Sequence, residues 1–381
     1  AQGQMPPHGV GMDDAQVVDI GHVHPAGVTA PLGQLGPDVS FQMREVAPHP
    51  EQQIDAVRVI VAGHEFAVAA GLRVLPGAFQ HQVHDPPGQI LLRIVAEQGP
   101  ARTTISGNHD GPCIWITDYI DLELSGFTIT GCTRVSQDMV NDQYSVFIQT
   151  FSHANIRLTG NRVVDNPTTT GIGLLPYYAG LVSVNVEISR NQFSGNLTGI
   201  FCEGFPIVGR PDYDGHILIA NNLFYGNSAA GDPSYGRGIS LGPATITSEA
   251  GVRVDVVHNT VVDNAGVGLL MPSFDVGVNV QNNIVYGNQM DIVGGRATST
   301  VTRNLVGEAL YLSGDGNIIG DPLFVDRPNR VFGLSPNSPA VDAGATLGIT
   351  EAGFDYNGDP RPQDGDHDGV ARPDMGAIEL K

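Results

Sequence analysis

The sequence predicts an all-β fold: a right-handed, single-stranded parallel β-helix, or solenoid, that ends in a C-terminal cap. A short asparagine motif recurs at intervals that suit one coil each, and a short strand pattern precedes each copy. Among the 381 residues, 49 are glycine, 26 are proline and 41% are hydrophobic, so the chain has many turns and enough apolar residues for a core.

The repeated motif is Asn-x-φ-x-x-Asn, in which φ is an apolar residue. The full copies begin at Asn161, Asn191, Asn222, Asn259 and Asn283, and weaker copies begin at Gly126 and Asn304. From Asn161 to Asn304 the first residues lie 30, 31, 37, 24 and 21 positions apart. The shortest steps suit a bare coil of three short strands, so the motif predicts stacked coils.

Each full copy follows a short alternating strand, such as Val254–Val256, and several precede a strand of the form Gly-Ile-x-Leu, as at Gly171 and Gly238. These strands begin with similar residues each time, which favours parallel stacking over hairpins. At a tight bend Asn tolerates unusual backbone dihedrals, and in register its amide can bond the Asn of the coils above and below. We therefore interpret the asparagines as a structural ladder rather than as catalytic residues.

These repeats resemble the pectate-lyase-like superfamily of right-handed β-helices, built of parallel β-helix (PbH1) repeats, over about residues 100 to 320. The segments Asp321–Asp326, Leu334–Gly344 and Asp374–Glu379 resemble the closing part of secreted bacterial β-helix proteins. The resemblance implies a secreted or cell-surface bacterial protein. It implies little about activity, because the same solenoid carries lyases, hydrolases, epimerases, phage tailspikes and adhesins.

The chain divides into three predicted parts. Residues 1–90 hold most of the histidines and none of the repeat, and we expect an atypical, poorly ordered extension there. A metal site at His22 and His24 or at His81 and His84 is disfavoured, because no thiols or spaced carboxylates accompany them. Residues 91–320 form the predicted solenoid, and residues 321–381 form a cap that covers the exposed end of the last coil.

The cap contains Asp364, Asp366 and Asp368 at alternating positions, followed by Gly369. This spacing matches the opening of a calcium loop, although its twelfth position falls on Met375 instead of a carboxylate. Asp355, Asn357 and Asp359 show the same alternation. A calcium site and a solvated acidic turn both stay open, and no organic cofactor is expected.

Charge and cysteine content narrow the partners. The net charge is −21 and Lys381 is the only lysine, so nucleic acid is a poor candidate partner. The sequence contains no run of 18 or more apolar residues, so no transmembrane segment is predicted. Cys113, Cys132 and Cys202 are expected as small buried thiols, with a Cys113–Cys132 bond as the alternative. The oligomeric state is left open.

Function on a solenoid is expected on loops that lengthen consecutive coils and stack on one face. Residues 175–180, 203–214 and 243–251 are such insertions, and residues 229–238 form a further loop. Their aromatic residues suit sugar faces and are the candidate substrate-binding residues: Tyr177, Tyr178, Phe205, Tyr213 and Tyr235. Their charged residues are the candidate catalytic residues: Glu203, Arg210, Asp212, Asp214 and Arg237. The alternative is that the rings cover the coil and the charges are solvated.

Two functions follow from these loops. One is a secreted β-helix that binds an extracellular polysaccharide on the loop face spanning residues 175–251 and, if it is an enzyme, cleaves it as a polysaccharide lyase or glycoside hydrolase. The other is a noncatalytic surface, adhesion or structural β-helix. The sequence lacks the motifs of polygalacturonases and alginate epimerases and a lysine for a chondroitinase-like site, so those activities are disfavoured.

Overall fold

The computed structural model describes residues 59–60, 65–66, 90–96, 98–107, 112–117, 120–133, 143–150, 154–176, 183–202, 214–228, 235–241, 251–271, 278–295, 299–308 and 314–381. The regular secondary structure of these residues is almost entirely β-strand, with short 3-10 helices at Arg327–Asn329 and Thr350–Gly353. Within this part of the chain, no helix is long and apolar enough to cross a membrane. Almost all of residues 1–90, for which the sequence predicts poor order, lie outside the described residues. The exceptions include Val59–Ile60 (β1) and Glu65–Phe66 (β2), which pair antiparallel.

Three parallel sheets form the solenoid, and each of the first seven coils contributes one strand to each sheet. Sheet I has eight strands: β3 (Ile90–Val95), β6 (Ile120–Ser125), β9 (Ala154–Thr159), β12 (Ser183–Ser189), β15 (Asp214–Ala220), β18 (Gly251–Val257), β21 (Val278–Gln281) and β24 (Thr300–Thr302). Sheet II has nine strands: β4 (Thr104–Ser106), β7 (Thr128–Thr130), β10 (Arg162–Val164), β13 (Gln192–Ser194), β16 (Leu223–Tyr225), β19 (Thr260–Val262), β22 (Ile284–Tyr286), β25 (Leu305–Val306) and β26 (Ile318–Ile319).

Sheet III has seven strands: β5 (Ile114–Thr117), β8 (Tyr144–Thr150), β11 (Thr170–Pro176), β14 (Thr198–Cys202), β17 (Ile239–Leu241), β20 (Val267–Leu270) and β23 (Met290–Val293). A final antiparallel pair, β27 (Phe324–Asp326) and β28 (Val331–Leu334), follows the last coil. The predicted parallel β-helix is confirmed, because equivalent strands of successive coils pair in parallel throughout the three sheets.

The core explains the glycine that recurs at or just before the start of the sheet III strands. The middle residue of each sheet II strand points inward, and the rings of Phe193 and Phe224 stack with centroids 4.7 Å apart. A Cβ atom on Gly199 would lie 2.4 Å from the carbonyl oxygen of Gly238 and 2.7 Å from Cδ1 of Phe224. Only glycine lets the backbone approach its neighbours this closely.

Two asparagine ladders run along the solenoid, which confirms the structural interpretation of the motif. The first joins Asn161, Asn191, Asn222, Asn259, Asn283, Asn304 and Asn317, and the second joins Asn166, Asn196, Asn227, Asn264 and Asn288 and ends on Asp291. Each repeated amide has the same pattern: Nδ2 of Asn222 donates to Oδ1 of Asn259 at 3.0 Å and to the backbone oxygen of Ile188 at 2.8 Å.

The unusual dihedrals, however, do not belong to the ladder asparagines, so that part of the interpretation was wrong. They belong to the residue before each one. Along the first ladder these residues have φ between 53° and 64°, and we call them the αL column: Gly160, Arg190, Asn221, His258, Asn282 and Arg303. The ladder asparagines are free of strain because the preceding residue makes the turn, which leaves their amides in register.

The expectation of three buried thiols was wrong for two of the cysteines. Cys113, just before β5, forms a disulfide with Cys132, just after β7, with the two Cα atoms 5.5 Å apart. Cys202 is a buried free thiol, and burial raises its pKa to about 12. The disulfide therefore fastens sheet III to sheet II near the N-terminal end of the solenoid.

Residues 321–381, which we call the tail, lie along the outside of the coils. On the outer face of sheet II, Leu334, Ala340 and Met375 pack on Ile284 and Leu305. On the outer face of sheet I, partly buried Leu347 and Ile349 pack on a stripe of three buried residues: Leu218, Ala220 and Val257. The tail thus covers apolar residues on the sides of several coils.

Candidate functional site

The predicted insertions share one corner of the solenoid. Leu174, Cys202 and Leu241 are in register near the ends of their sheet III strands. Ser183, Asp214 and Gly251 are in register at the starts of the next sheet I strands. Three consecutive coils therefore leave sheet III and enter sheet I at aligned positions, which we call the loop corner.

Most predicted site residues lie in the connections themselves. Seven of them fall outside the described residues: Tyr177, Tyr178, Glu203, Phe205, Arg210, Asp212 and Tyr213. Asp214 is the first residue of β15, and only its backbone is described. The structure therefore brings the anchor points of these loops together and leaves their side chains undescribed.

Arg237 and Tyr235 lie elsewhere, in the turn from sheet II to sheet III. The backbone oxygen of Arg237 accepts a hydrogen bond from Gly199 N at 2.9 Å, beside the start of β14. The loop corner follows the other end of that strand, and five residues of strand span roughly 13–16 Å. Arg237 donates to Ser240 Oγ at 3.1 Å, and Tyr235 is exposed. The structure does not bring these two residues to the loop corner.

The outer face of sheet I, next to the loop corner, carries a row of polar side chains from successive coils. We call it the polar row: Asp121, Asn155, Asn185, His216 and Arg253. Asn155 Nδ2 donates to Asp121 Oδ1 at 3.0 Å, and Asn185 Nδ2 donates to Asn155 Oδ1 at 2.9 Å. Neighbouring strands lie about 4.8 Å apart, so the row presents one polar group at each such step.

Asp255 anchors the end of this row. Its Oδ2 accepts from His216 Nε2 at 2.7 Å and from Arg253 Nε at 2.6 Å. Its Oδ1 accepts from Asn279 Nδ2 at 2.8 Å. The Asp255 side chain is fully buried, whereas those of His216 and Arg253 are 38% and 61% exposed. We call these four residues the Asp255 cluster.

The cluster has a defined protonation pattern. Burial opposes ionisation of Asp255, but hydrogen bonds from His216, Asn279 and Arg253 outweigh it, so the pKa of this carboxyl lies below its usual value. An ionised carboxylate can only accept, so Nε2 of His216 carries a hydrogen. In the neutral ring Nδ1 is then the acceptor, as in an oriented general base. Arg253 places a cationic group beside it.

A second cluster lies in the tail. Carboxylate oxygens of Asp342, Asp364 and Asp366 all lie within 4.8 Å of one another, a spacing that can hold a metal ion. Oδ1 of Asp364 is buried without a hydrogen-bond donor. Asp368 is not in this group: its Oδ1 accepts from Val370 N, and it pairs with Arg372. Of the predicted calcium ligands, Asp364 and Asp366 therefore lie in this group together with Asp342.

The other alternating set forms a turn. Oδ1 of Asp355 accepts from Asn357 N and Asp359 N, each at 2.8 Å, and Oδ2 accepts from Glu379 N at 3.2 Å. Asp355 is fully buried. These bonds explain the alternation at residues 355–359 as an Asp-stabilised turn that fixes the end of the chain.

No protein-family model matches the chain, and no curated protein is significantly similar to it. Fold and site geometry are therefore the observations from which a function is inferred.

Sequence reasoning missed the Asp255 cluster, although a signal for it exists. The first ladder steps by 37 residues from Asn222 to Asn259, and the same step carries His216 onto Arg253. Aligning the preceding strands on that offset would have placed these polar residues on one face, beside the predicted loops. Asp342 has no such local signal, because it lies 22 residues before Asp364.

Proposed function

We propose that this protein is a secreted or cell-surface β-helix of the pectate-lyase-like superfamily that binds an extracellular polysaccharide. The ligand lies along the polar row on the outer face of sheet I, beside the loop corner. The observation that carries this proposal is the Asp255 cluster: an exposed imidazole and guanidinium held on one buried carboxylate, next to the aligned ends of three insertions.

The chemistry of the row supports a polymer of sugars. Sugar hydroxyls both donate and accept hydrogen bonds, and the row offers amide, imidazole, guanidinium and carboxylate groups in a line. Because the groups stand on paired strands, little side-chain freedom is lost on binding. The row extends over five coils, from Asp121 to Arg253, which suits an extended chain better than a single small molecule.

The disulfide supports the proposal that the protein is secreted or lies at the cell surface. Cys113–Cys132 is a bond between buried cysteines, and disulfides persist in oxidising compartments such as the periplasm or the cell exterior. The acidic tail supports a calcium ion as part of the proposal: Asp342, Asp364 and Asp366 would hold it as a structural ion. This group lies in the tail, so calcium is assigned no part in binding at sheet I.

Cleavage of the bound polysaccharide is the second candidate function. The observation that favours it is the hydrogen bond that orients His216, because a base held by a carboxylate is a recurring catalytic arrangement. A lyase or a hydrolase would give different products from the same bound chain. Binding without cleavage would instead indicate an adhesion or structural role.

The test is a polysaccharide binding screen with the full chain and three variants. Arg253→Gln and Asp255→Asn should weaken binding by about tenfold or more, since a hydrogen bond to a charged group contributes roughly 1.5–3 kcal/mol. Arg330→Gln is the matched control, because this half-exposed arginine pairs with Asp263 on the tail side. Equal binding by all four proteins, or no binding to any polysaccharide, contradicts the proposal.

Cleavage is tested on the polysaccharide that binds best. Reducing-end and unsaturated-product assays distinguish hydrolysis from elimination, and His216→Asn should abolish either product even at polysaccharide concentrations that saturate the variant. Unchanged product formation by that variant would exclude His216 as the base.

A further inference from the structure

His258 occupies a position where a titratable ring is unexpected. It belongs to the αL column with φ of 53°, and it is completely buried beneath the tail. Its Nε2 lies 2.9 Å from Nδ2 of Asn282, the next residue of the column. Its Nδ1 makes no hydrogen bond of normal geometry, although the backbone of Asp374 and Gly376 lies beside the ring.

The orientation of the Asn282 amide is fixed by the tail. Oδ1 of Asn282 accepts from Ala345 N at 3.0 Å, and Nδ2 donates to Ala345 O at 2.7 Å. Turning the amide over would set oxygen against oxygen and N–H against N–H. One hydrogen of Nδ2 therefore goes to Ala345, and the other necessarily points at His258.

It follows that Nε2 of His258 accepts a hydrogen bond and carries no proton. If the ring is protonated, both of its nitrogens become donors, and Nε2–H then faces the N–H of Asn282. The contact can be relieved only by breaking the pair between Asn282 and Ala345 or by moving the ring out of its site. Either movement disturbs the attachment of the tail.

A small number of side-chain hydrogen bonds join segment 343–351 of the tail to the solenoid. The segment 343–351 runs back along the αL column: Ala343 O accepts from Arg303, Ala345 pairs with Asn282, and Glu351 O accepts from Asn221. Between these contacts, Leu347 and Ile349 cover the apolar stripe of sheet I that contains Leu218, Ala220 and Val257. Asn282 makes two of the hydrogen bonds along this segment.

The charged groups around His258 come mainly from the tail. The positive charge of buried Arg361 disfavours protonation of the His258 ring. Glu379 forms an ion pair with Arg361, and the carboxylates of Asp374 and Asp355 also interact electrostatically with Arg361. From the solenoid, the column contributes Arg190 and Arg303 in other coils. Burial and Arg361 together hold the pKa of His258 well below 6.5.

We propose that His258 and Asn282 form a proton-sensitive latch: uptake of one proton by His258 breaks the Asn282–Ala345 pair and releases segment 343–351 from the solenoid. Release uncovers the apolar stripe on sheet I. Leu218 of that stripe lies two residues after His216 on β15, so the latch controls the surface that borders the Asp255 cluster. The latch does not depend on what that cluster binds.

As the pH falls, protonation of His258 disfavours docking of the tail, whereas protonation of the nearby acids favours it. His258 has a lowered pKa, so docking is complete above pH 6.5 and is lost as the pH falls below it. Burial raises the pKa of Asp374 to about 6 and that of Glu379 to about 7, which favours the docked tail as the pH falls. A variant that removes only the histidine separates the two contributions.

The test is hydrogen exchange by mass spectrometry on the full chain and on His258→Asn. Asparagine suits the αL conformation, as at Asn221 and Asn282, and its amide does not titrate. The opening constant of peptide 343–351, divided by that of the variant, should rise between pH 8 and pH 5 by up to about 30-fold. A rise of about threefold or more supports the latch, and any smaller rise overturns it.

A second measurement needs no variant. Exchange of the His258 Cε1 hydrogen in the natural chain reports the pKa of this ring directly. A pKa below 6.5 is expected, and a pKa of 6.5 or higher overturns the latch whatever the behaviour of His258→Asn.

Discussion

Replacing Asn222 by alanine tests whether the asparagine ladder stabilises the solenoid. Asn222 is fully buried; its Oδ1 accepts from Asn191 N at 2.8 Å, and its Nδ2 donates to Ile188 O at 2.8 Å. The substitution leaves that buried N–H and that buried carbonyl without these partners. At about 1–3 kcal/mol for each group, the free energy of unfolding should fall by roughly 2–6 kcal/mol.

Urea unfolding monitored by far-UV circular dichroism measures the loss, and hydrogen exchange in β12 and β15 locates it. Asn155→Ala is the matched control, because this asparagine is exposed on β9 and lies outside the ladder. Its cost should stay within about 0.5 kcal/mol. A loss below about 1 kcal/mol for Asn222→Ala would refute the idea that its side chain satisfies otherwise orphaned backbone groups.

Three further outcomes are expected. Gly199→Ala should lower the unfolding midpoint far more than Gly320→Ala, because a Cβ at Gly199 meets backbone at 2.4 Å and one at Gly320 meets nothing within 4 Å, with no positive φ at either glycine; equal shifts would contradict the close-approach argument. Calcium at 100 times its dissociation constant should stabilise the protein by about 2.7 kcal/mol in a melting assay. Asp364→Asn should remove that effect and Asp368→Asn should keep it, whereas loss in both would implicate the whole alternating set. Cys202, whose pKa burial raises to about 12, should resist iodoacetamide at pH 8 until the chain is unfolded, and rapid labelling of the folded protein would contradict its burial.

The solenoid could be predicted because each coil repeats the same local solution. Every full copy of the motif supplies a buried amide at the same point of the coil, so spacing alone reveals strand order and parallel register. The motif did not reveal that neighbouring residues have different roles. Asn221 and Asn282 adopt the αL conformation of the turn, whereas Asn222 and Asn283 form the ladder. The two asparagines of each adjacent pair look alike in sequence but have different structural roles.

The candidate site was predicted only in part, because its contacts join residues far apart in the chain. Asp255 meets His216 across 39 residues, and the tail meets Asn282 across 63. No local spacing encodes such contacts. Polar residues on the outer face of a strand also look like ordinary solvated positions until the register sets them side by side. The loops were recognised by length, and Arg237 was grouped with them although it lies at the other end of β14.

The path of the tail limits how this solenoid can change in length. Ladder amides present identical donors and acceptors at every coil, so a coil could in principle be gained or lost anywhere without interrupting the hydrogen bonds. Ala343, Ala345 and Glu351, however, meet Arg303, Asn282 and Asn221 at fixed intervals. Insertion or deletion between Asn221 and Arg303 would shift these partners out of step, whereas these three contacts do not involve the coils before Gly160. Duplication of coils is therefore expected to be tolerated near the N-terminal end of the solenoid and rejected beneath the tail.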